Sequence, residues 1–483
     1  METARMDGAR MDLPLSLYHT LADELGQLID TRVFRPGERL PSIRHLARHK
    51  RVSISTVVSA LQLLEERGTV EVRPQSGHYV SHRPLRREPV LNDMLRAPTY
   101  VGINNQLMRI MQANERAGMS RLAAAYPPEE LLLVKGMQRT VGSVARRHPD
   151  LLSRGSYVRL AESGLLRQLV RRAVDWGELD HEEVVITNSC TEALFLCLSA
   201  VCKPGDTVAI ESPTYFVLLQ QIESLGLKAL EIPCDPGTGL SVDALELAIQ
   251  QGLVQACLLI PNCNNPLGSI MTEADKKRLA ALVSKHDILL IEDDIYSDVC
   301  FGEQRPRPVK AYDRTGNVLL CCSFSKNVSF SFKVGYVAAG KYVERVSFLK
   351  TISSGTTSHF HQTVLAELID GSGYNNHLRR VRRLLAQRSA RLGEAILRAF
   401  PAGCRPSEPQ GGFVIWIEMP ARVDAMALHA KAVEEGIGFL PGPMFSASGK
   451  FANFIRLNAA NAWDDEVDLA VRRLGMLVHE AAS

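Results

Sequence analysis

No apolar run in the sequence approaches the roughly 20 residues a helix needs to cross a bilayer, so no membrane span is expected. The first stretch, Met1 to Asp12, mixes acids with arginine and carries no apolar segment, so no secretory signal is expected either. The ten cysteines include no C-x-x-C pair, which argues against zinc and leaves no metal expected. Without an export signal they read as reduced, buried thiols, and the expected location is cytoplasmic. Neither sign of charge dominates: 56 Lys and Arg stand against 53 Asp and Glu, and a net charge of +3 does not by itself point to nucleic acid. Internal repeats are absent as well. What is present is ordinary globular composition, 46% apolar and 23% charged, over 483 residues, enough for two or more domains.

The charge is local. Between Asp30 and Ala60, Arg32, Arg35, Arg39, Arg44, Arg48, Lys50 and Arg51 stand against only Asp30 and Glu38. The same region reads as helices. Tyr18, Leu21, Leu25, Leu28 and Ile29 recur at helical spacing after Pro14, and Pro36-Gly37 breaks the chain. Pro41-Ser42 starts a short helix with Ile43, Leu46 and Ala47 on one side. A third helix, capped by Ser53 or Ser55, carries Ile54, Val57, Val58, Leu61 and Leu64 inward and stops at Gly68. Alternation at Thr69–Arg73, a turn at Pro74–Gly77 and a return at His78–Val80 predict a hairpin. Three helices and a hairpin are the layout of a winged helix-turn-helix, whose third helix enters the major groove by its N-terminal end.

The segment RPGERLPSIRHLARHKRVSISTVVSALQLLEERGTVEVRPQSGHYV, with its P-G-x-x-L-P-S-x-R element and S-x-x-T-V run, resembles the DNA-binding domain of the GntR family of bacterial regulators over residues 13–80. The resemblance implies double-stranded DNA as a partner. Arg39, Ser42 and Arg44 would grip phosphates or base edges, Ser53, Ser55 and Thr56 would open the recognition helix, and Arg73 and His78 would belong to the wing. Singly, each hydroxyl is a helix cap and each arginine a surface charge; the ordered set carries the reading.

Residues 81–114 read as a linker, with Pro84, Pro89 and Pro98 around Arg83, Arg86 and Arg87, and some helix over 104–114. From 115 to 480, short apolar runs alternate with helical stretches: Val184–Thr187, Thr207–Ile210, Ala256–Ile260, Ile288–Ile291 and Val318–Leu320. Unbroken apolar strands between helices predict a mostly parallel sheet covered on both faces, with ligands beyond the carboxyl ends of its strands.

Those ends carry chemistry. Ser189-Cys190-Thr191 opens a helix after the first run, where amides and hydroxyls can hold a phosphate, although alone it is a helix cap. Tyr215 follows the second run and Asn265 sits in a Pro-Gly turn after the third; alone these are packing and a turn. Asp293 and Tyr296 end the fourth, where a carboxylate can stay ionised against a protonated ring nitrogen. Ser323-Phe324-Ser325-Lys326 supplies an amine suited to a Schiff base.

In series these residues resemble the fold type I aminotransferases that use pyridoxal 5'-phosphate. The resemblance implies a large sheet domain with a small C-terminal α+β domain. Lys326 would be the Schiff-base lysine and Asp293 the partner of the pyridine nitrogen. Asn265 and Tyr296 would bond the phenolic oxygen, Tyr215 would stack on the ring, and Ser189, Cys190, Thr191, Ser323 and Ser325 would line the phosphate site. Arg456 matches the arginine that grips a substrate carboxylate, and Tyr157 a tyrosine that reaches the neighbouring subunit's phosphate. One departure is Lys333, where the family pattern has arginine; the charge is kept but the fork is lost.

A GntR-type winged helix followed by such a domain resembles the MocR subfamily. That implies a homodimeric transcription regulator in which pyridoxal phosphate, or an amino acid or amine meeting its Schiff base with Lys326, shifts DNA affinity. The alternative is a functional aminotransferase with an appended DNA-binding domain, and whether the chain turns over substrate stays open at this point.

Overall fold

The protein is described by a computed structural model at residues 17–30, 33–34, 37–66, 68–73, 76–81, 97–102, 105–153, 161–174 and 177–483. The expected helix start at Pro14, the break at Pro36, the turn residue Pro74, linker residues 82–96 and Tyr157 lie outside these. The chain divides into two compact units, Met1–Arg86 and Arg87–Ser483.

The first unit comprises α1 (Leu17–Asp30), α2 (Ile43–Lys50), α3 (Ile54–Glu66) and the antiparallel pair β1 (Val70–Arg73) and β2 (Gly77–Val80). Its core joins Leu21, Leu25 and Ile29 of α1 to Leu46 of α2, Val57, Leu61 and Leu64 of α3 and Val70 and Val80 of the hairpin. These are the stripes visible in the sequence, and each fully buried aliphatic side chain contributes about 1.5–3 kcal/mol. Gly68 at φ 69 ends α3 in the left-handed region that glycine enters without strain.

The second unit begins earlier than the expected boundary. It takes in β3 (Thr99–Tyr100), which pairs with a sheet strand, and α4 (Asn105–Asn114), whose Leu107 and Ile110 are core residues. Then follow α5 (Val134–Arg147), α6 (Ser163–Ala173), β4 (Val184–Thr187), α7 (Cys190–Val201), β5 (Thr207–Ser212), α8 (Phe216–Ser224), β6 (Lys228–Asp235), β7 (Gly239–Leu240), α9 (Val242–Gln250), β8 (Ala256–Leu259), α10 (Glu273–Lys285), β9 (Leu289–Asp293), β10 (Val318–Ser323) and β11 (Gly335–Ala338). The sheet order is β3-β6-β5-β8-β9-β10-β11-β4, with β7 on the side of β6. Strands β6, β5, β8, β9 and β10 are parallel neighbours, whereas β11 runs antiparallel to both β10 and β4.

Successive residues of the strands face opposite cores. Ala209, Cys257 and Leu290 join Leu245, Leu279 and Val283 on one face. Val208, Ile210, Leu258 and Ile291 join Ala193, Leu194, Leu218 and Ile222 on the other. Burial on both faces is why these strands read as continuous apolar runs.

Beyond the sheet come α11 (Val343–Ser354), α12 (His359–Asp370) and the long α13 (Ser372–Ala399), then β12 (Arg405–Pro406), β13 (Val414–Glu418), α14 (Ala425–Glu434), β14 (Leu440–Pro441), β15 (Phe454–Asn458) and α15 (Asp465–Ala482). Their antiparallel sheet, β12-β13-β15-β14, packs with α14, α15 and the end of α13 around its own core. All ten cysteines are free, eight of them buried. Among the described residues no helix is long and apolar enough to cross a membrane.

Candidate functional site

In the first unit two hydroxyls cap the helices of the expected DNA reader. Ser42 accepts from the His45 amide at 3.3 Å, and Ser53 accepts from the Thr56 amide at 3.1 Å. The Ser53 hydroxyl also lies 2.8 Å from that of Ser55 and 2.7 Å from that of Thr56, so the start of α3 carries a cluster of hydroxyls. The tight link between α2 and α3 depends on Arg51, which closes α2 at φ 53 by donating its amide to the Ala47 carbonyl. Arg39, Ser42, Arg44, Ser53 and Ser55 are exposed, while Thr56 and His78 are half-buried. Arg73 is committed elsewhere: its guanidinium donates to Glu71 at 2.6 and 3.0 Å and lies 4.3 Å from the centroid of Tyr79. Lys50, part of the basic cluster, is paired with Glu24 at 2.7 Å.

In the second unit the register gathers the expected residues at one edge of the sheet. Ser323 pairs with Gly335 and Gly335 with Thr187, so the Ser323–Lys326 turn, Lys333 and the start of α7 emerge side by side. A side chain at position 335 would meet the Ser189 backbone at 2.7 Å and the Cys322 carbonyl at 2.8 Å, which requires glycine there. Ser189 caps α7, accepting from the Glu192 amide at 3.0 Å, and the hydroxyls of Ser323 and Ser325 lie 3.0 Å apart. Thr191 is exposed in the first turn of α7. Lys333 is exposed at φ 43, with its ammonium 4.1 Å from the Phe330 ring centroid. Hydroxyls, a helix N-terminus and a cation in one place suit a phosphate.

A cleft of about 530 Å³ opens beside this edge, lined by Lys326, Tyr215, Tyr296, Arg456 and Tyr126 among others. Lys326 Nζ donates to the Ala125 carbonyl at 2.8 Å and lies 5.0 Å from the Tyr126 ring centroid and 5.8 Å from that of Tyr296. Burial, helped by the nearby charge of Arg456, pulls its pKa down to about 8, so more of the amine is unprotonated near neutrality than in an ordinary lysine, although most still carries its proton at pH 7. Asp293 sits on β9 next to Cys321 of β10, and burial pushes its carboxyl up to about 6. The phenols of Tyr215 and Tyr296 are held protonated by burial.

Arg456 is fully buried on β15. Nη1 donates to Asn265 Oδ1 at 3.1 Å and Nη2 to the Ala123 carbonyl at 3.0 Å, while Nε has no partner among the described residues. Burial lowers its pKa to about 10, and the groups that oppose this are the phenols of Tyr296, Tyr215 and Tyr126, with no carboxylate among them. A buried guanidinium with no carboxylate paired to it among the described residues, an amine of lowered pKa and a buried carboxyl in one region fit a ligand with an electrophilic carbon, a basic ring nitrogen and an anionic group.

Two features escape sequence reasoning. Cys190, expected at the phosphate, donates its thiol to Asp293 Oδ1 at 3.3 Å. The wall formed by Met111, Asn114, Glu115 and Ala123–Tyr126 joins the end of the expected helix to a stretch without strand alternation, and nothing in these residue types marks it as part of a ligand site.

Comparison with known proteins decides the family. Residues 17–80 match the bacterial regulatory proteins of the gntR family, and residues 131–474 match aminotransferase class I and II. Two HTH-type transcriptional regulators of Escherichia coli (strain K12) align along almost the entire chain. YdcR is 36% identical, over 96% of this chain and 99% of its own length; YjiR is 35% identical, over 97% and 100%. The chain belongs to the gntR-type transcription regulators with an aminotransferase class I and II domain, the MocR-like architecture. Among solved structures, the α-aminoadipate aminotransferase LysN of Thermus thermophilus, complexed with N-(5'-phosphopyridoxyl)-L-leucine, superposes at a TM-score of 0.72. It is 26% identical and covers 79% of this chain and 96% of its own. The second unit of this regulator is therefore an aminotransferase fold of the pyridoxal-phosphate class, and its first unit is a DNA-binding domain.

Proposed function

We propose that this regulator answers, at its DNA, to an amino compound or to pyridoxal phosphate itself, read out in the cleft that holds Lys326 and Arg456. The observation that carries the reading is that one cleft presents both side chains, an amine near neutrality and a buried guanidinium. When bound, pyridoxal phosphate supplies an aldehyde that amines capture and a ring that accepts electrons. Lys326 would hold the aldehyde carbon and Asp293 the ring nitrogen. Asn265 and Tyr296 would hold the phenolic oxygen, Tyr215 the ring face, and Ser189, Thr191, Ser323, Ser325 and Lys333 the phosphate. Arg456 would orient an effector carboxylate by its fork, which favours an α-amino acid over a simple amine.

On DNA, Ser42, Ser53, Ser55 and Thr56 would present hydroxyls and helix-end amides to phosphates, with Arg39 and Arg44 supplying charge and His78 the wing contact. A homodimer fits the apolar side chains left exposed on neighbouring helices, Phe195 of α7 and Phe348 and Ile352 of α11. A regulator of this kind works in the cytoplasm. An effector moves DNA affinity only by binding two conformations unequally.

The competing reading, a working aminotransferase, is favoured by the presence of Lys326, Asp293 and Arg456 together. Promoter-fragment binding by fluorescence anisotropy, run beside a steady-state assay for keto-acid release, separates the two. Tight, salt-sensitive binding with no sustained release supports the regulator; sustained release with no preference for the fragment over random DNA would overturn it.

A further inference from the structure

Asp293 uses its two oxygens unequally. Oδ1 accepts from the Cys190 thiol at 3.3 Å and from the Ile295 amide at 3.1 Å, while Oδ2 receives no hydrogen bond among the described residues. The donors come from separate elements: Cys190 is the first residue of α7, and Ile295 follows the end of β9. Cys190 is itself buried, at 2% exposure, and among the described residues its sulfur is not shared with another acceptor.

We propose that Cys190 is the positioning residue of the cofactor ring: its thiol occupies Oδ1 of Asp293, fixes the carboxylate plane, and leaves Oδ2 as the oxygen that meets the ring nitrogen. This rests on the reading of the cleft as a pyridoxal-phosphate site. A carboxylate that accepts hydrogen bonds stays ionised more readily, and an ionised Asp293 is what keeps a ring nitrogen protonated. The thiol suits the task because it cannot compete as an anion. Burial and the neighbouring Asp293 push its pKa well up, so it remains a donor throughout the working range.

The other groups that act on Asp293 do not replace it. Asp294, the residue after β9, opposes its ionisation, and Lys326, after β10, favours it. Glu211 and Cys321, from β5 and β10, and the phenols of Tyr215 and Tyr296 also feel its charge, and each is itself held toward the neutral form by burial. Cys190 is the one side chain among the described residues that donates to the carboxylate.

The test compares wild type with Cys190→Ser, which keeps a donor, and Cys190→Ala, which does not. In the cofactor-free chains, the infrared S–H stretch that disappears in either variant should lie at the low frequency of a hydrogen-bonded thiol. With pyridoxal phosphate added, Cys190→Ala should bind about five- to tenfold more weakly, as expected for losing a weak donor to a charged acceptor. Its visible absorption band should also titrate at a different pH from wild type, and Cys190→Ser should stay close to wild type in both. A free S–H frequency, or equal losses in Ser and Ala, overturns the proposal and leaves the thiol as core packing. A wild-type chain that shows the bonded S–H stretch yet takes up no cofactor instead overturns the reading of the cleft, and the proposed ring contact with it.

Discussion

The guanidinium of Arg456 donates to Asn265 Oδ1 at 3.1 Å, tying β15 of the smaller sheet to the turn after β8 of the larger one. Asn265 is expected at the cofactor's phenolic oxygen and Arg456 at the effector's carboxylate, so the two ends of the ligand site share one hydrogen bond. An incoming carboxylate would compete for the nitrogen that Asn265 now occupies, and Nε is without a partner among the described residues.

Arg456→Lys keeps the charge and loses the fork. Cofactor uptake should change little, while the response to α-amino acids weakens by about tenfold or more, the scale of losing one charge-assisted hydrogen bond. Amines without a carboxylate should be affected less. Titrating the variant with both ligand classes, read by cofactor absorbance, checks this.

Lys326 predicts a pH signature. Its folded pKa is lowered from 10.5 to about 8. Between those values the unfolded chain binds more protons than the folded one, so stability rises with pH there, and the cost of burying the ammonium is felt in full below about 8. Without cofactor, Lys326→Met should be more stable than wild type near neutrality, with the advantage shrinking as pH rises across that window. Urea unfolding at a series of pH values measures it, and an advantage independent of pH would contradict the assignment.

Gly335 sits where a Cβ would meet the Ser189 backbone at 2.7 Å and the Thr187 hydroxyl at 2.9 Å. Gly335→Ala should destabilise the second unit by about 1–3 kcal/mol, the usual cost of overpacking. Cofactor affinity should fall with it, because β11 holds Lys333 beside the start of α7. Thermal unfolding and absorbance report the two losses separately.

On the DNA side the arginines differ. Arg44 is exposed, whereas Arg73 is tied to Glu71 and Tyr79. Arg44→Ala should weaken promoter binding and reduce the slope of log affinity against log salt by about 1, the signature of one lost phosphate contact. Arg73→Ala should change the slope less. Anisotropy over a salt series distinguishes them.

Much of this site was legible in the sequence because parallel strands buried on both faces announce themselves as apolar runs, and the residues just after them are the ones a ligand meets. Val184–Thr187 is a strand over that span, Ser189 and Lys326 follow their strands, and Asp293 is the last residue of β9, which runs two residues beyond the apolar run Ile288–Ile291. Strand β11 was not legible, since Gly335–Ala338 is short and follows a turn of mixed residues. The start of the second unit was not legible either. The helix expected over 104–114 is α4, but its place in the second unit, like that of Thr99–Tyr100, comes from burial of Leu107 and Ile110 and from pairing with β6, which local patterning does not reveal. The partner of Cys190 could not be read because it lies 103 positions away, across the sheet. Ser53 and Ser55 are both suitable caps for α3 by residue type, and the structure assigns the role to Ser53.

The most direct test of the account is a titration of the purified, cofactor-loaded chain with a panel of amino acids and amines, following promoter binding and the cofactor's visible band in the same sample. The account predicts that at least one compound changes both at the same concentration, without keto acid building up, and that Lys326→Ala abolishes the coupled change. Compounds that move the band while DNA affinity stays flat across the whole panel would contradict it.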